Sequence, residues 1–160
     1  MITTNEIFIK MILNAWSSHI KQADSLFSSL SDEELTRQVA PGKNTGVYLL
    51  GHLTAVHDGM IPLLGLGDPF FPQLEEVFVK EADNSGLPVP STQELRKFWT
   101  AVNRSLDEHF TAMKPEVWFM KHSAISEEDF VKEPHRNRLN IVVNRTNHLA
   151  WHVGQLALLK

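Results

Sequence analysis

Two histidines four residues apart, His148 and His152, lie in the closing stretch NHLAWHVGQLALLK. On a helix, residues i and i+4 stack on one face, so both imidazoles point into the same space. Two neutral imidazoles meeting at one point make a bidentate clamp for a divalent metal. Random placement of eight histidines would give roughly 0.4 such pairs, so the spacing alone decides little. The stripe around the pair says more. Ile141, Arg145, His148, His152, Gln155 and Leu159 follow one another at helical spacing, polar in the middle and apolar at both ends. Beside it runs a core seam of Leu139, Val142, Thr146, Leu149, Val153 and Leu156. The polar stripe either faces water or lines a polar pocket inside a bundle, because polar groups are seldom buried without partners.

The elements that must position this pair follow from periodicity. A first long helix is expected over residues 5–30, with the seam Ile9, Leu13, Trp16, Ile20, Ala23, Phe27 and Leu30. Ser31 ahead of Asp32, Glu33 and Glu34 caps a short helix that Pro41-Gly42 breaks. Asn44 or Thr45 caps a second long helix with the seam Leu49, Leu53, Val56, Met60 and Leu63, ended by Pro62 and the Gly65/Gly67 pair. Residues 67–90 make a connection too long to be idle; it crosses the molecule or covers a site. Ser91 and Glu94 have capping-box spacing and open a third helix carrying Leu95, Trp99, Val102, Leu106, His109 and Met113. Lys114-Pro115 stops it, residues 116–137 are irregular, and the fourth helix runs from about residue 137 to the end. No strand-like alternation or repeat occurs. The expected fold is all-α: one domain, residues 1–160, a four-helix bundle with a long crossover between helices 2 and 3.

A catalytic metal usually has three protein ligands. Candidates for the third are His19, His52, His57, His109, His122 and His135. His122 and His135 fall in the irregular segment, where a histidine is expected to be solvated. His19 and His109 read as hydrogen-bonded core or edge residues. His52 and His57 share the second helix but lie about 140° apart around it, so they do not share a site easily. His52 flanks the seam beside Tyr48 and Leu49; His57, next to Asp58, reads equally well as solvated. If helices 2 and 4 are antiparallel, His52 and the pair fall at the same height to within roughly 3 Å.

The segment NTGVYLLGHLTAVHD, followed by NHLAWHVGQLALL, resembles the DinB/YfiT-like four-helix metalloprotein superfamily, with one histidine in helix 2 and H-x-x-x-H-x-G-Q in the last helix. The resemblance covers nearly the whole chain, including SDEELTRQVAPGKNT. It implies His52, His148 and His152 as metal ligands, with Gly154 and Gln155 completing the motif and Gln155 a candidate cofactor-binding residue. It also implies the long crossover. Members of the family include S-transferases and isomerases that use small cellular thiols, proteins proposed to be metal-dependent hydrolases, and many of unknown activity.

Three neutral imidazoles leave a divalent ion its full charge and an open position, so a metal-bound water or thiolate is the expected nucleophile. Arg145 or Tyr48, each a turn from a ligand on the same face, is the expected substrate-orienting group, and a structural role suits either one equally well. Zinc or nickel suits three imidazoles, iron or manganese is possible, and a low-molecular-weight thiol is a possible co-substrate. The absence of Glu-x-x-His argues against a carboxylate-bridged di-iron centre, and that of H-E-x-x-H against a zincin peptidase. With no cysteine there is no disulfide, thiolate site or cysteine nucleophile. A net charge of −4 without a basic block argues against nucleic acid as a partner. No apolar run is long enough to span a bilayer and no signal peptide is evident, so a cytoplasmic location is expected. The partners expected are a small-molecule substrate and a second copy of the chain. Two classes stay open: a mononuclear metal-dependent S-transferase or hydrolase, and a non-catalytic helical bundle that binds a metal or ligand.

Overall fold

Side-chain caps mark where the long helices begin. In the computed structural model, which describes residues 1–160, Thr3 and Glu6 form a capping box ahead of α1 (Thr4–Ser29), and Ser31 and Glu34 another ahead of α2 (Asp32–Thr36). Thr45 caps α3 (Gly46–Asp58) through Tyr48 N. Pro62 has no N–H to donate to Asp58, so this helix is interrupted at Gly59 and resumes for one turn as α4 (Met60–Leu63). The Ser91/Glu94 capping box opens α5 (Thr92–Ala112); α6 (Glu127–Lys132) follows, and Asn137 caps α7 (Arg138–Leu156). The molecule is all-helical, and α1, α3, α5 and α7 are its four long elements. None of them is long and apolar enough to cross a membrane.

Contacts at the ends fix the directions. A Cβ on Gly46 would lie 2.7 Å from Leu159 Cδ1, so the start of α3 meets the end of the chain. The Arg138 guanidinium lies against Gly65, just beyond α4. Hence α3 and α7 are antiparallel, the arrangement that sets His52 level with the pair. Arg96 near the start of α5 donates to the carbonyls of Phe27 and Leu30 at the end of α1. So α3 and α5 begin at the same end of the bundle and run parallel, and the chain between them must cross its length.

That crossover is less irregular than the sequence suggests. A π-helical turn, Glu76–Lys80, forms in its middle, with Leu74 and Phe78 buried. Asp58 holds its start by accepting from Phe70 N and Phe71 N, each at 2.8 Å. Tyr48 Oη donates to Glu81 O at 2.7 Å, and Thr45 N to Asp83 Oδ2 at 2.7 Å, holding its end. Between these ties the crossover lies over α3.

The seams of α1 and α7 match their expected residues: in α7 the buried set is Leu139, Val142, Thr146, Leu149, Val153 and Leu156. Two seams need correction. Besides Leu49 and Leu53, α3 buries Leu50, Ala55 and His57, because α5, α7 and the crossover all pack on it, and the expected Met60 is buried in α4. A helix apolar nearly all round is a buried helix. In α5 the last core position belongs to Phe110; its neighbour His109 sits at the edge and donates from Nδ1 to Ser105 O at 2.7 Å.

Candidate metal centre

His52 comes from α3, His148 and His152 from α7. His148 Nε2 lies 3.1 Å from His52 Nε2 and 3.1 Å from His152 Nε2, and one nitrogen from each ring falls within 4.8 Å of the other two. Two nitrogens bound to one zinc at about 2.0–2.1 Å and a tetrahedral angle lie roughly 3.3 Å apart. The spacing fits a shared ion.

Proton bookkeeping on the outer nitrogens strengthens the fit. His52 Nδ1 is 2.7 Å from Phe78 O, which can only accept, so Nδ1 carries the proton and Nε2 the lone pair. His152 Nδ1 is 2.7 Å from Gln155 Oε1, which imposes the same tautomer. Two lone pairs therefore face His148 Nε2, and one proton on that nitrogen could satisfy only one of them. A cation satisfies all three rings. His148 Nδ1 has no protein partner. Partners behind the ligating nitrogens are how metal-binding imidazoles are oriented.

Electrostatics keep the rings neutral. Burial lowers the pKa of all three, His148 to about 4, where His152, His52 and Arg145 push it further down. For His52 the Phe78 carbonyl partly opposes the burial, and for His152 the Gln155 amide does so. Neutral imidazole is the ligating form.

Around the cluster, the Tyr48 ring stacks on His52 with centroids 6.1 Å apart and planes within 9°. Its hydroxyl is engaged by Glu81, and burial raises its pKa. Arg145 sits one turn before His148, half-buried, with its Nε inaccessible and unpartnered. A cleft of about 230 Å³ opens beside it, between α4 and the crossover. Gln155 lies behind His152 as its hydrogen-bond partner. Gly154 is exposed with open space around it, so nothing in the fold demands glycine there.

Two supports of His52 carry little signal in the sequence. One is the main-chain carbonyl of Phe78, presented by the π turn. The other is Gly51, where a Cβ would lie 2.3 Å from the Phe78 ring. A glycine inside a helix next to a candidate ligand was the available clue.

The remaining histidines are elsewhere. His57, for which a solvated position was an open reading, is fully buried between Trp16 and Trp99, with centroids at 4.8 and 5.1 Å. Its Nδ1 donates to Asn103 Oδ1 at 2.8 Å, since Asn103 Nδ2 is itself committed to Trp99 O. Burial takes its pKa to about 3. His122 is also buried rather than solvated, its Nδ1 accepting from Ala124 N, because the segment 115–125 folds back on the bundle through a 3₁₀ turn and the buried Trp118 and Ile125. His135 is exposed as expected, and His19 bonds to Gln22 at the edge of α1. A cleft of about 640 Å³ between α1 and α5 shares no residue with the triad.

The sequence model of the DinB superfamily matches residues 15–156. The chain belongs to the DinB superfamily. Among curated proteins no match is found. The DinB match takes in His52, His148 and His152 together with Arg145 and Tyr48, and it agrees with the all-helical fold and with a triad able to hold a metal ion.

Proposed function

We propose that this DinB-superfamily protein is a mononuclear metal-dependent enzyme acting on a small molecule, as a thiol S-transferase or a hydrolase. One observation carries the reading: neutral imidazoles, two with their tautomer fixed from behind, turn ring nitrogens toward one point inside the bundle. A divalent ion there supplies Lewis acidity, lowering the pKa of a coordinated water or thiol toward neutrality. The chain's own residues then have separate tasks. His52, His148 and His152 hold the ion, Phe78 O and Gln155 aim two of them, and the crossover shields α3 from water on one side. Arg145, a turn from His148, orients substrate, and the Tyr48 ring backs His52. Zinc and nickel suit the donor set better than the harder cations. A small-thiol co-substrate and a pairing of two copies belong to the same proposal; sedimentation of the purified protein tests the pairing.

The experiment is metal analysis of protein made without a histidine tag, beside His52→Ala and His148→Ala, followed by assays with low-molecular-weight thiols plus electrophiles and with esters and amides. Near-stoichiometric metal, lost in both variants together with turnover, supports the enzyme. Stoichiometric metal with no turnover on either substrate set would make it a binding protein. Zinc that leaves the melting temperature unchanged would remove the metal altogether, because binding to the native state must stabilise it.

A further inference from the structure

Arg145 stands apart from the other half-buried arginines. Arg96 donates to two carbonyls and meets Asp32, Arg136 pairs with Glu133 at 3.0 Å, and Arg138 donates to Lys121 O. Arg145 has an Nε shut off from water and without a partner, and no carboxylate of the chain draws on its charge; burial alone acts on it, pulling its pKa down. A guanidinium partly withdrawn from water without a counter-charge is costly, and an anion supplied from outside would offset that cost.

Arg145 also lines the cleft of about 230 Å³, whose walls include Val56, Pro62, Phe71 and Val79. Val56 lies one turn beyond His52, and Val79 follows the Phe78 that fixes His52, so two of the elements that line the cleft also carry or position His52. Its two acidic wall residues are engaged: Asp58 accepts from two backbone amides and Glu75 faces Lys80 at 3.7 Å. One guanidinium fork among apolar walls matches a planar monoanion with an apolar body. A phosphoryl dianion would want more donors than one guanidinium offers.

Resting on the enzyme reading above, we propose that the substrate is a small carboxylic acid, whose carboxylate is taken by Arg145 and whose apolar body fills this cleft. The acid then lies with its remaining functional group toward the triad.

The test is calorimetric titration of the zinc-loaded protein with benzoate, benzamide and inorganic phosphate. Benzoate should bind at least about tenfold tighter than benzamide. Arg145→Met should remove that preference while zinc content and benzamide binding stay as they were. Should Arg145→Met fold poorly, Arg145→Lys keeps the charge without the fork and should weaken benzoate severalfold at an unchanged melting temperature. Equal benzoate binding by wild type and Arg145→Met overturns the proposal, since the acid would then sit on the zinc. Phosphate binding tighter than benzoate through Arg145 overturns the carboxylate class. Full zinc occupancy with no benzoate preference sinks this proposal and leaves the metal reading standing. Arg145-dependent benzoate binding in a protein that takes up no zinc does the reverse.

Discussion

His52 and His57 share α3, five residues apart, and have opposite surroundings. His52 looks toward α7, where its free nitrogen meets those of two other histidines. His57 looks toward α1 and α5, where two indoles cover its faces and Asn103 takes its only proton. Both are held neutral by burial, so neutrality does not separate a ligand from a core residue. What separates them is where the lone pair goes. At His52 it converges with others; at His57 the buried Nε2 meets nothing. A depressed histidine pKa inside a bundle therefore says little about metal binding until the neighbours of the unprotonated nitrogen are known.

The largest effect expected of that contrast is on acid stability. The folded pKa of His57, about 3, lies below its unfolded value near 6.5, so the folded state resists protonation. Its contribution is intact above about pH 6.5 and is lost as pH falls toward 3, amounting to about 5 kcal/mol over that window. His57→Phe should flatten the fall in denaturant-derived stability between pH 6.5 and 4. An identical slope in the variant would show that His57 is not the buried neutral group described.

Deleting the side chains should split stability from metal binding. His57→Ala leaves a void between Trp16 and Trp99 and should cost about 3 kcal/mol in urea unfolding, with zinc affinity unchanged. His148→Ala should weaken zinc at least about 100-fold by competition with a chelating dye. Metal-free, the same variant should stay within about 1 kcal/mol of wild type, since His148 then gives up at most one imidazole hydrogen bond through Nε2 and none through Nδ1. A large loss of metal-free stability in His148→Ala would erase the distinction between the two regions.

Gly51→Ala should cost about 2 kcal/mol by driving the Phe78 ring off α3. Because that displaces the carbonyl behind His52, zinc affinity should fall as well, which a purely structural glycine would not produce. The smallest effect is that of Tyr48→Phe. It removes one hydrogen bond to the crossover and should cost about 1 kcal/mol, read as a melting shift, with the ring still stacked on His52.

Much of this molecule was legible in one dimension because its signals are local. The α7 stripe put His148 and His152 on one face and Arg145 a turn away, since helical spacing alone decides such neighbours. The caps at Ser31 and Ser91 read directly, as did a long crossover between the second and third long helices; Thr45 was one of two candidates, beside Asn44. His52 was preferred over His57 on height and by resemblance, and the argument from height depends on the antiparallel pairing that the Gly46–Leu159 contact reveals. Harder to see was anything that depends on what another element brings. The burial of His57 needs Trp16 and Trp99 from separate helices, and that of His122 needs the fold of its own loop. A single seam for α3 missed that this helix is covered on several sides.

From its order of residues alone, the chain set its helices, their apolar faces and the histidine pair on the last of them, because each depends on residues a few positions apart. Only the packed bundle decided which third imidazole completes the triad, which nitrogen each ring presents, and that Arg145 is left without an acidic partner. Those outcomes depend on groups dozens of residues distant in the chain, such as the Phe78 carbonyl delivered by a turn of the crossover. No local pattern encodes a hydrogen bond whose acceptor belongs to the backbone of another segment.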